Sequence, residues 1–363
     1  MTTIKYFDST QIGAPQLTGQ VGSLIGLLDA CLIDGFNLKS ITSLSVTANV
    51  ATATVAAGHG YALDRIVLIA GATPAGLNGE KRITWADTNT FKFDATGIAD
   101  GAATGTITSK IAPAGWEKPF TGTNLAAYRS LAVDATRLFL RVDDTLAQYA
   151  TWVGREDMTD INTATGWGST VYAKKSNAAS TATRPWALIA SDRFFYFMPM
   201  WHSSYGHYGT CCFGDLISYK AGDTYHCVLI GDVVSGMNFP GADNGFALIN
   251  GNATGASLAR SHTQTGGPVA LARRGHGVQA SAIGVDGMVY PNPPDNALLL
   301  HHPILVVENG VRGHLPGLYQ PLHNVPLGNL TVAQHQGKSL LALNIAYSNN
   351  AAQCLLDITG PWA

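Results

Sequence analysis

The stretch Trp186–Asp232 holds the residue types best suited to metal or nucleophile chemistry. It contains three of the eleven histidines and three of the five cysteines, namely His202, His207, His226, Cys211, Cys212 and Cys227. Imidazole nitrogens and thiolates are the ligands that zinc prefers, and structural zinc sites usually space them as paired knuckles. His202 and His207 have a suitable spacing, but Cys211 and Cys212 are adjacent, and adjacent residues of a strand point to opposite faces. Since no orienting acid or family signature supports a Cys–His nucleophile either, the pattern favours buried thiols and hydrogen-bonded histidines.

A second candidate site is a group of acidic residues within a short segment. Its members are Asp143, Asp144, Glu156, Asp157 and Asp160. Several carboxylates together could bind Ca²⁺ or Mg²⁺, and a suitably separated pair could hydrolyse a glycosidic bond. The spacing lacks the central glycine of an EF-hand loop. Because carboxylates at strand ends commonly cap turns or pair with arginines such as Arg141 and Arg155, we expect structural roles here, with a cation site and a glycan hydrolase as alternatives.

Three smaller features have functional and structural interpretations. His59 lies in a Gly-His-Gly turn, where turn geometry and a local hydrogen bond are expected rather than acid–base work. The basic cluster Arg273–His276 could contact nucleic acid, but surface salt bridges are favoured. His314 and His323 flank a proline-containing loop that suits either a site or a subunit contact. We therefore predict that the chain has no catalytic, cofactor-binding or metal-binding residues, no cofactor and no enzymatic activity.

Charge and hydropathy restrict the partners. Charged residues make up 13% of the chain and the formal net charge is -2, so nucleic acid is not expected as a main partner. A surface with so little charge suits a protein covered by neighbours. The first ten residues lack the apolar segment of a signal peptide, and no apolar run approaches the roughly 18 residues of a membrane span. We therefore expect synthesis in the cytoplasm, no membrane insertion, and buried thiols at all five cysteines, including Cys31 and Cys354.

The first 41 residues are predicted to form an N-terminal arm and one short helix. The helix is indicated by apolar residues at helical spacing, namely Leu24, Leu27, Leu28, Cys31 and Leu32. Gly35 follows where a helix C-terminal glycine is expected. The helix could pack into the core or mediate oligomerisation.

The remainder is predicted to be mainly β. Residues 42–110 show short alternating strands with regular turns, which indicate a small inserted β-barrel or sandwich module. Residues 111–122 contain two prolines and two glycines and are predicted to be a linker. Residues 111–363 are assigned to a larger, antiparallel β-sandwich-like domain. Within it, two apolar runs flank a turn at residues 191–193, and the aromatic residues 194–197 predict a strand covered on one face by a second sheet and on the other by another subunit or a loop.

Several segments resemble virion proteins of tailed bacteriophages. The segment ATATVAAGHGYALDRIVLIAGATPAGLNGEKRIT, with its later TFKF strand, resembles a small β module common in such proteins. The segments RLFLRVDDT and GREDMTD, the run RGHLPGLYQPL and the terminal DITGPW resemble a group of phage virion proteins of unassigned role. The module covers about a fifth of the chain and is typical of phage structural proteins rather than of one role among them.

The resemblance implies a virion structural protein, made in the host cytoplasm and located in the virion. It would act as a tail or baseplate component through contacts with itself and other virion proteins. A head decoration or neck protein is the alternative, as is a receptor-binding or glycan-binding module that contacts a host surface glycan. Ring closure by repeated contacts is the expected mode of action.

Overall fold

The computed structural model describes residues 3–204, 206–233, 246–249, 255–275, 290–323, 326–345 and 353–362. The chain is mainly β with antiparallel sheets and a short helix near the N-terminus, as predicted. The N-terminal segment contains β1 (Lys5–Asp8), β2 (Leu17–Thr18), α1 (Ser23–Leu28) and a π-helical continuation, π1 (Asp29–Asp34). The apolar residues of α1 and π1 face the main core, so this helix is a core element. It ends at Gly35, whose φ of 73° favours glycine and whose added Cβ would lie 2.3 Å from the Ile111 carbonyl oxygen.

The inserted module forms a β-barrel. Its elements are β3 (Phe36–Ser40), β4 (Ser43–Thr47), β5 (Val50–Thr54), β6 (Ile66–Ala70), a 3₁₀ helix (Ala75–Leu77), β7 (Gly79–Ala86), β8 (Thr90–Asp94), β9 (Gly101–Ala102) and β10 (Thr108–Ile111). The hydrogen-bonded order is β3-β10-β6-β7-β8-β5-β4-β9. β3 continues into β4 and β9 into β10, and these two runs pair with each other through Ser40 with Thr108 and Ser45 with Ala102. The sheet therefore closes on itself, and the pairing assigns Phe36–Ser40 to the barrel, whereas the sequence had placed its start at residue 42.

A five-stranded sheet follows the barrel. The elements of this region are β11 (Trp116–Gly122), β12 (Leu125–Ser130), β13 (Phe139–Asp143), β14 (Tyr149–Arg155), β15 (Asp157–Met158), β16 (Ala164–Thr165), β17 (Thr170–Lys174) and β18 (Thr183–Arg184). Strands β11-β12-β13-β14-β17 form the sheet. The predicted linker 111–122 is thus wrong over its second half, which is β11. Pro119 lies at the point where the β11–β12 register shifts, since a proline has no N–H to donate to the ladder.

The central sheet has seven strands in the order β1-β19-β20-β21-β23-β24-β25. The elements of this region are β19 (Trp186–Ala190), β20 (Phe194–Pro199), β21 (Cys211–Asp215), β22 (Ile217–Ser218), β23 (Cys227–Ile230), α2 (Phe246–Ile249), β24 (Ala256–Leu258) and β25 (Val269–Ala270). β1 pairs antiparallel with β19 along its whole length. The N-terminal arm is therefore an edge strand of the central sheet.

The C-terminal region adds two further sheets. Its strands are β26 (Ala272–Arg274), β27 (Leu300–His301), β28 (Leu305–Val307), β29 (Val311–His314), β30 (Leu318–Pro321), β31 (Val332–His335), β32 (Lys338–Asn344) and β33 (Gln353–Asp357). One sheet has the order β22-β29-β28-β26 and the other β27-β30-β33-β32-β31.

The central sheet is covered on both faces by the same chain. Phe195 packs on the five-stranded side, with its ring centroid 5.7 Å from that of Trp152. Tyr196 points the other way, where its hydroxyl donates to the Pro316 carbonyl at 2.8 Å and where Leu341 and Leu356 complete a second core. The sequence correctly predicted two covered faces. On the second face the same chain provides the cover, through C-terminal strands distant in sequence and the β29–β30 turn that contains Pro316, and the expected alternative of another subunit is not needed there.

Candidate functional site

The three clustered cysteines are core side chains. All five cysteines of the chain are free and buried, as predicted. Cys211 packs in the core between the central and five-stranded sheets, whereas Cys212 packs in the opposite core, as expected for neighbours on a strand. Burial raises the pKa of Cys227 well above its usual value. Across the described ranges, no three His, Cys, Asp or Glu side chains come close enough to hold a metal ion.

The three histidines of the same stretch serve different local structures. His202 accepts a hydrogen bond from the Ser204 N–H at 3.1 Å. His207 is buried, and burial together with the charge of His202 lowers its pKa. His226 contacts the Asp223 carbonyl oxygen through Nδ1 and lies 3.7 Å from an Asp215 carboxylate oxygen through Nε2.

The acidic group is divided among separate structural roles. Asp144 is fully buried against Lys175. Glu156 pairs with Arg260, and Asp160 accepts backbone N–H groups of its own turn. Asp143 bonds to Thr145, and Asp157 accepts the N–H of the next residue. Turn capping and ion pairing were the expected roles, but Lys175 and Arg260 were not the expected partners; of the two arginines named from the sequence, Arg141 lies 3.8 Å from Asp143.

The remaining sequence candidates lie in well-packed surroundings. His59 is fully buried and accepts the Tyr61 N–H at 2.9 Å, which confirms its predicted local hydrogen bond. Arg273 is 1% exposed and burial lowers its pKa to about 10, so the expected surface salt bridge is wrong for this residue, while His276 lies outside the described residues. His314 and His323 are both buried, and His323 accepts the Leu299 N–H at 2.9 Å.

A buried ionic network centred on Arg312 could not be located from sequence. Arg312 is fully buried and donates two parallel hydrogen bonds to Asp223, at 2.8 and 2.7 Å. Its other donors reach Glu308 and the carbonyls of Arg260 and Tyr225. All five guanidinium hydrogens are therefore used. The network connects the segment after β22, the segment after β24 and the β28–β29 hairpin. Its role is structural, because the Arg312 guanidinium has no free donor for a ligand.

Among the described residues, Asp215 has the surroundings that most resemble those of a catalytic acid or base. It lines a hollow of about 200 Å³ together with Arg193 and Trp362. Burial raises its pKa. Both carboxylate oxygens accept hydrogen bonds from Thr136, and the hydroxyl of Ser191, which also lines the hollow, accepts backbone N–H groups of its turn. The Asp215 carboxylate therefore anchors the loop that contains Thr136. The Ser191 hydroxyl in the hollow is not an activated nucleophile.

The segment Leu131–Val133 projects apolar side chains from a fixed loop. Val133 is 94% exposed and Leu131 is 51% exposed. Ser130 donates to the Asp192 carbonyl at 2.6 Å before the loop, and the Thr136 N–H donates to Asp215 at 2.8 Å after it. Beside the loop lies a hollow of about 380 Å³ that is also lined by Lys5 and Glu80. We call Leu131–Val133 with this hollow the loop surface.

A second apolar depression lies between the barrel and the C-terminal hairpin. It has a volume of about 300 Å³ and is lined by Tyr6, Ala62, Leu63, Asp64, Arg65, Val332, Gln334 and Ile358. Leu63 and Val332 are 57% and 42% exposed at its rim. Arg65 is fixed by the Tyr6 carbonyl at 2.6 Å and by Asp8 at 2.7 Å. We call this depression the barrel groove.

The two surfaces lie on different sides of strand β1. Lys5 lines the loop surface and Tyr6 lines the barrel groove. Because consecutive strand residues point to opposite faces, one molecule presents two separate surfaces with exposed apolar side chains, and the hollow of the loop surface also contains the Lys5–Glu80 ion pair at 2.7 Å. Such surfaces can bind protein neighbours.

No protein-family model matches the chain, and no curated protein matches it. In the part of the chain that the structure describes, no helix is both long and apolar enough to cross a membrane.

Proposed function

We propose that this protein is a structural component of a tailed-bacteriophage virion, a tail or baseplate protein that acts through contacts with copies of itself and with other virion proteins. The resemblance of the barrel segment and of the terminal DITGPW run to phage virion proteins motivates the proposal. It implies location in the virion after synthesis in the host cytoplasm. No catalytic role is part of it.

The observation that carries the proposal is the exposure of Val133 on an anchored loop. Single exposed apolar residues are common on protein surfaces. Val133 differs because its loop is held at both ends by buried groups, and because Leu131 and a hollow adjoin it. A rigid apolar projection beside a hollow suits a protein contact, since little conformational entropy is lost when it is covered.

Two separate apolar surfaces favour a head-to-tail contact. The loop surface of one copy and the barrel groove of the next would form a heterologous interface, which closes into a ring when the rotation between copies permits. The low charge content of the chain also suits surfaces that neighbours cover.

The alternatives use the same surfaces differently. A head decoration or neck protein would assemble through the same contacts at another place in the particle. A glycan-binding module needs clustered exposed aromatic rings, but among the described residues the exposed Trp and Tyr side chains, Trp85, Tyr219 and Tyr290, lie in three different segments. The structural role is therefore preferred over binding of a host surface glycan.

The test is the assembly state of matched variants. Wild-type protein, Val133→Asp and Leu63→Asp are compared by light scattering after size exclusion, with Val50→Asp as the control because Val50 is 40% exposed and outside both surfaces. We expect an oligomer for wild type and Val50→Asp and a loss of that oligomer for the other two. Oligomers of unchanged mass in all four would refute the assigned interface, and a monomeric wild type that cleaves a polysaccharide would refute the structural role.

A further inference from the structure

Lys175 and Asp144 are brought together in a fully buried position. Both side chains are 0% exposed, and Lys175 Nζ donates a hydrogen bond to Asp144 Oδ1. Lys175 follows β17 and Asp144 follows β13, so the contact joins the ends of two strands that lie on either side of β14 in the five-stranded sheet. The amine is oriented by two further acceptors, the carbonyls of Gln20 at 2.7 Å and of Leu146 at 2.8 Å.

The second carboxylate oxygen of Asp144 is held independently of the lysine. Asp144 Oδ2 accepts the backbone N–H groups of Leu24 at 2.8 Å and of Ile25 at 3.2 Å. Two backbone donors on one carboxyl oxygen resemble an oxyanion hole, because they would stabilise negative charge that develops on that oxygen during attack at Cγ.

Burial acts against the charged forms of both groups. Burial raises the pKa of Asp144 and lowers the pKa of Lys175, although their mutual attraction opposes both changes. Transfer of one proton along the existing hydrogen bond gives a neutral amine and a carboxylic acid. A neutral amine is nucleophilic, and a carboxylic acid is a better electrophile than a carboxylate.

We propose that Lys175 and Asp144 form an intramolecular isopeptide bond. The Nζ lone pair attacks Cγ of Asp144, and the resulting charge on Oδ2 is stabilised by the Leu24 and Ile25 N–H groups. A proton from Nζ passes to the departing Oδ1, the Cγ–Oδ1 bond breaks and one water leaves. The product is an amide between Nζ and Cγ, with no change in oxidation state and no co-reactant. This modification does not depend on the proposed virion role.

A neighbouring pair provides an internal comparison. Lys174 lies 2.7 Å from Asp232, and both side chains are nearly fully buried. The Lys174 Nζ lies 4.5 Å from the centre of the Trp201 ring in a cation–π contact, whereas Lys175 contacts a carboxyl group whose second oxygen is held by two backbone N–H groups. We therefore assign the linkage to Lys175 and not to Lys174.

The test is the mass of the denatured protein. Wild type should be lighter than its sequence mass by one water, calculated for the same N-terminus, and Lys174→Arg should show the same loss. Lys175→Arg keeps the charge but cannot form this amide, and it should have its full sequence mass. Because the masses are read after denaturation, the comparison does not require Lys175→Arg to be as stable as wild type.

Tryptic peptides locate the bond. An acylated Lys175 is not cleaved, so Val142–Arg155 should be recovered covalently joined to Lys175–Arg193 in wild type and in Lys174→Arg. Wild-type protein at full sequence mass, with Val142–Arg155 and Ser176–Arg193 recovered as separate peptides, would overturn the proposal. A linked species that persists in Lys175→Arg would overturn the assignment to Lys175.

Discussion

Asp144 forms a buried contact with Lys175 and also holds the start of the N-terminal helix directly against the five-stranded sheet. Its carboxyl group accepts hydrogen bonds from Lys175 Nζ on one oxygen and from the Leu24 and Ile25 N–H groups on the other. Both members of the pair are fully buried. The residue that the sequence offered as a metal ligand or catalytic acid therefore positions α1 against the sheet.

Loss of the lysine should destabilise the fold strongly. Lys175→Met leaves the Asp144 carboxyl buried without its partner, whether Lys175 contacts it as an ion pair or through the proposed amide, and we expect the free energy of unfolding to fall by about 3 kcal/mol or more. Urea denaturation measures the change. Lys220→Met, at an exposed position, should change it by about 0.5 kcal/mol or less, and equal effects of the two substitutions would contradict the role of the pair.

Substitutions on either face of β20 should lower the stability of the single chain, because that chain itself covers both faces. Phe195→Ala removes a ring packed against Trp152 and should cost about 3–5 kcal/mol. Tyr196→Phe leaves the Pro316 carbonyl without its donor and should cost about 1–3 kcal/mol. Denaturation at several protein concentrations separates the possibilities: the cost of Tyr196→Phe should not vary with concentration, whereas it would vary if a second subunit covered this face.

Low pH should lower the stability of the folded protein through protonation of Asp223. Burial raises the pKa of this carboxyl, but the hydrogen bonds from Arg312 and Ser218 and the charge of Arg312 outweigh that effect and hold the pKa below its usual value. A depressed folded-state pKa contributes stability that is present above the unfolded pKa of about 3.9 and is lost as the pH falls through the folded value.

The corresponding test is denaturation of Asp223→Asn over a pH series. The variant should be less stable than wild type at neutral pH and should lose less stability on acidification below about pH 4. Identical pH dependence of the two proteins would show that Asp223 does not contribute to acid sensitivity.

The cysteines should be unreactive in the folded protein. All five are free and buried, and burial raises the pKa of Cys31 as it does that of Cys227. Since the thiolate is the reactive form, a thiol reagent should label none of them in native protein and all five after denaturation. Rapid native labelling at any cysteine would indicate an exposed or activated thiol.

The sequence predicted the features that depend on local patterns. Alternation at residues 51–55 and 91–93 identified barrel strands, and the turn at 191–193 lies between β19 and β20 as expected. The adjacency of Cys211 and Cys212 was sufficient to place them on opposite faces. These conclusions depend on strand periodicity and turn chemistry, which a single segment displays.

The features that the sequence did not predict depend on contacts between distant segments. Nothing local in Lys5–Asp8 shows that it pairs with β19, and nothing local in the C-terminal strands shows that they cover Tyr196. The Arg312 network was missed for the same reason, because its acids come from residues 223 and 308. All five residues of the acidic group were visible as turn-capping or ion-pairing candidates, but the partners Lys175 and Arg260 and the helix contact of Asp144 were not.

The mass of the purified full-length protein in solution tests the central claim most directly. A virion structural protein that assembles through the loop surface and the barrel groove should have a mass that is a fixed multiple of the chain mass, and Val133→Asp should reduce it to the mass of one chain. A wild-type protein that remains monomeric at the highest attainable concentration, and that cleaves a polysaccharide, would contradict the claim.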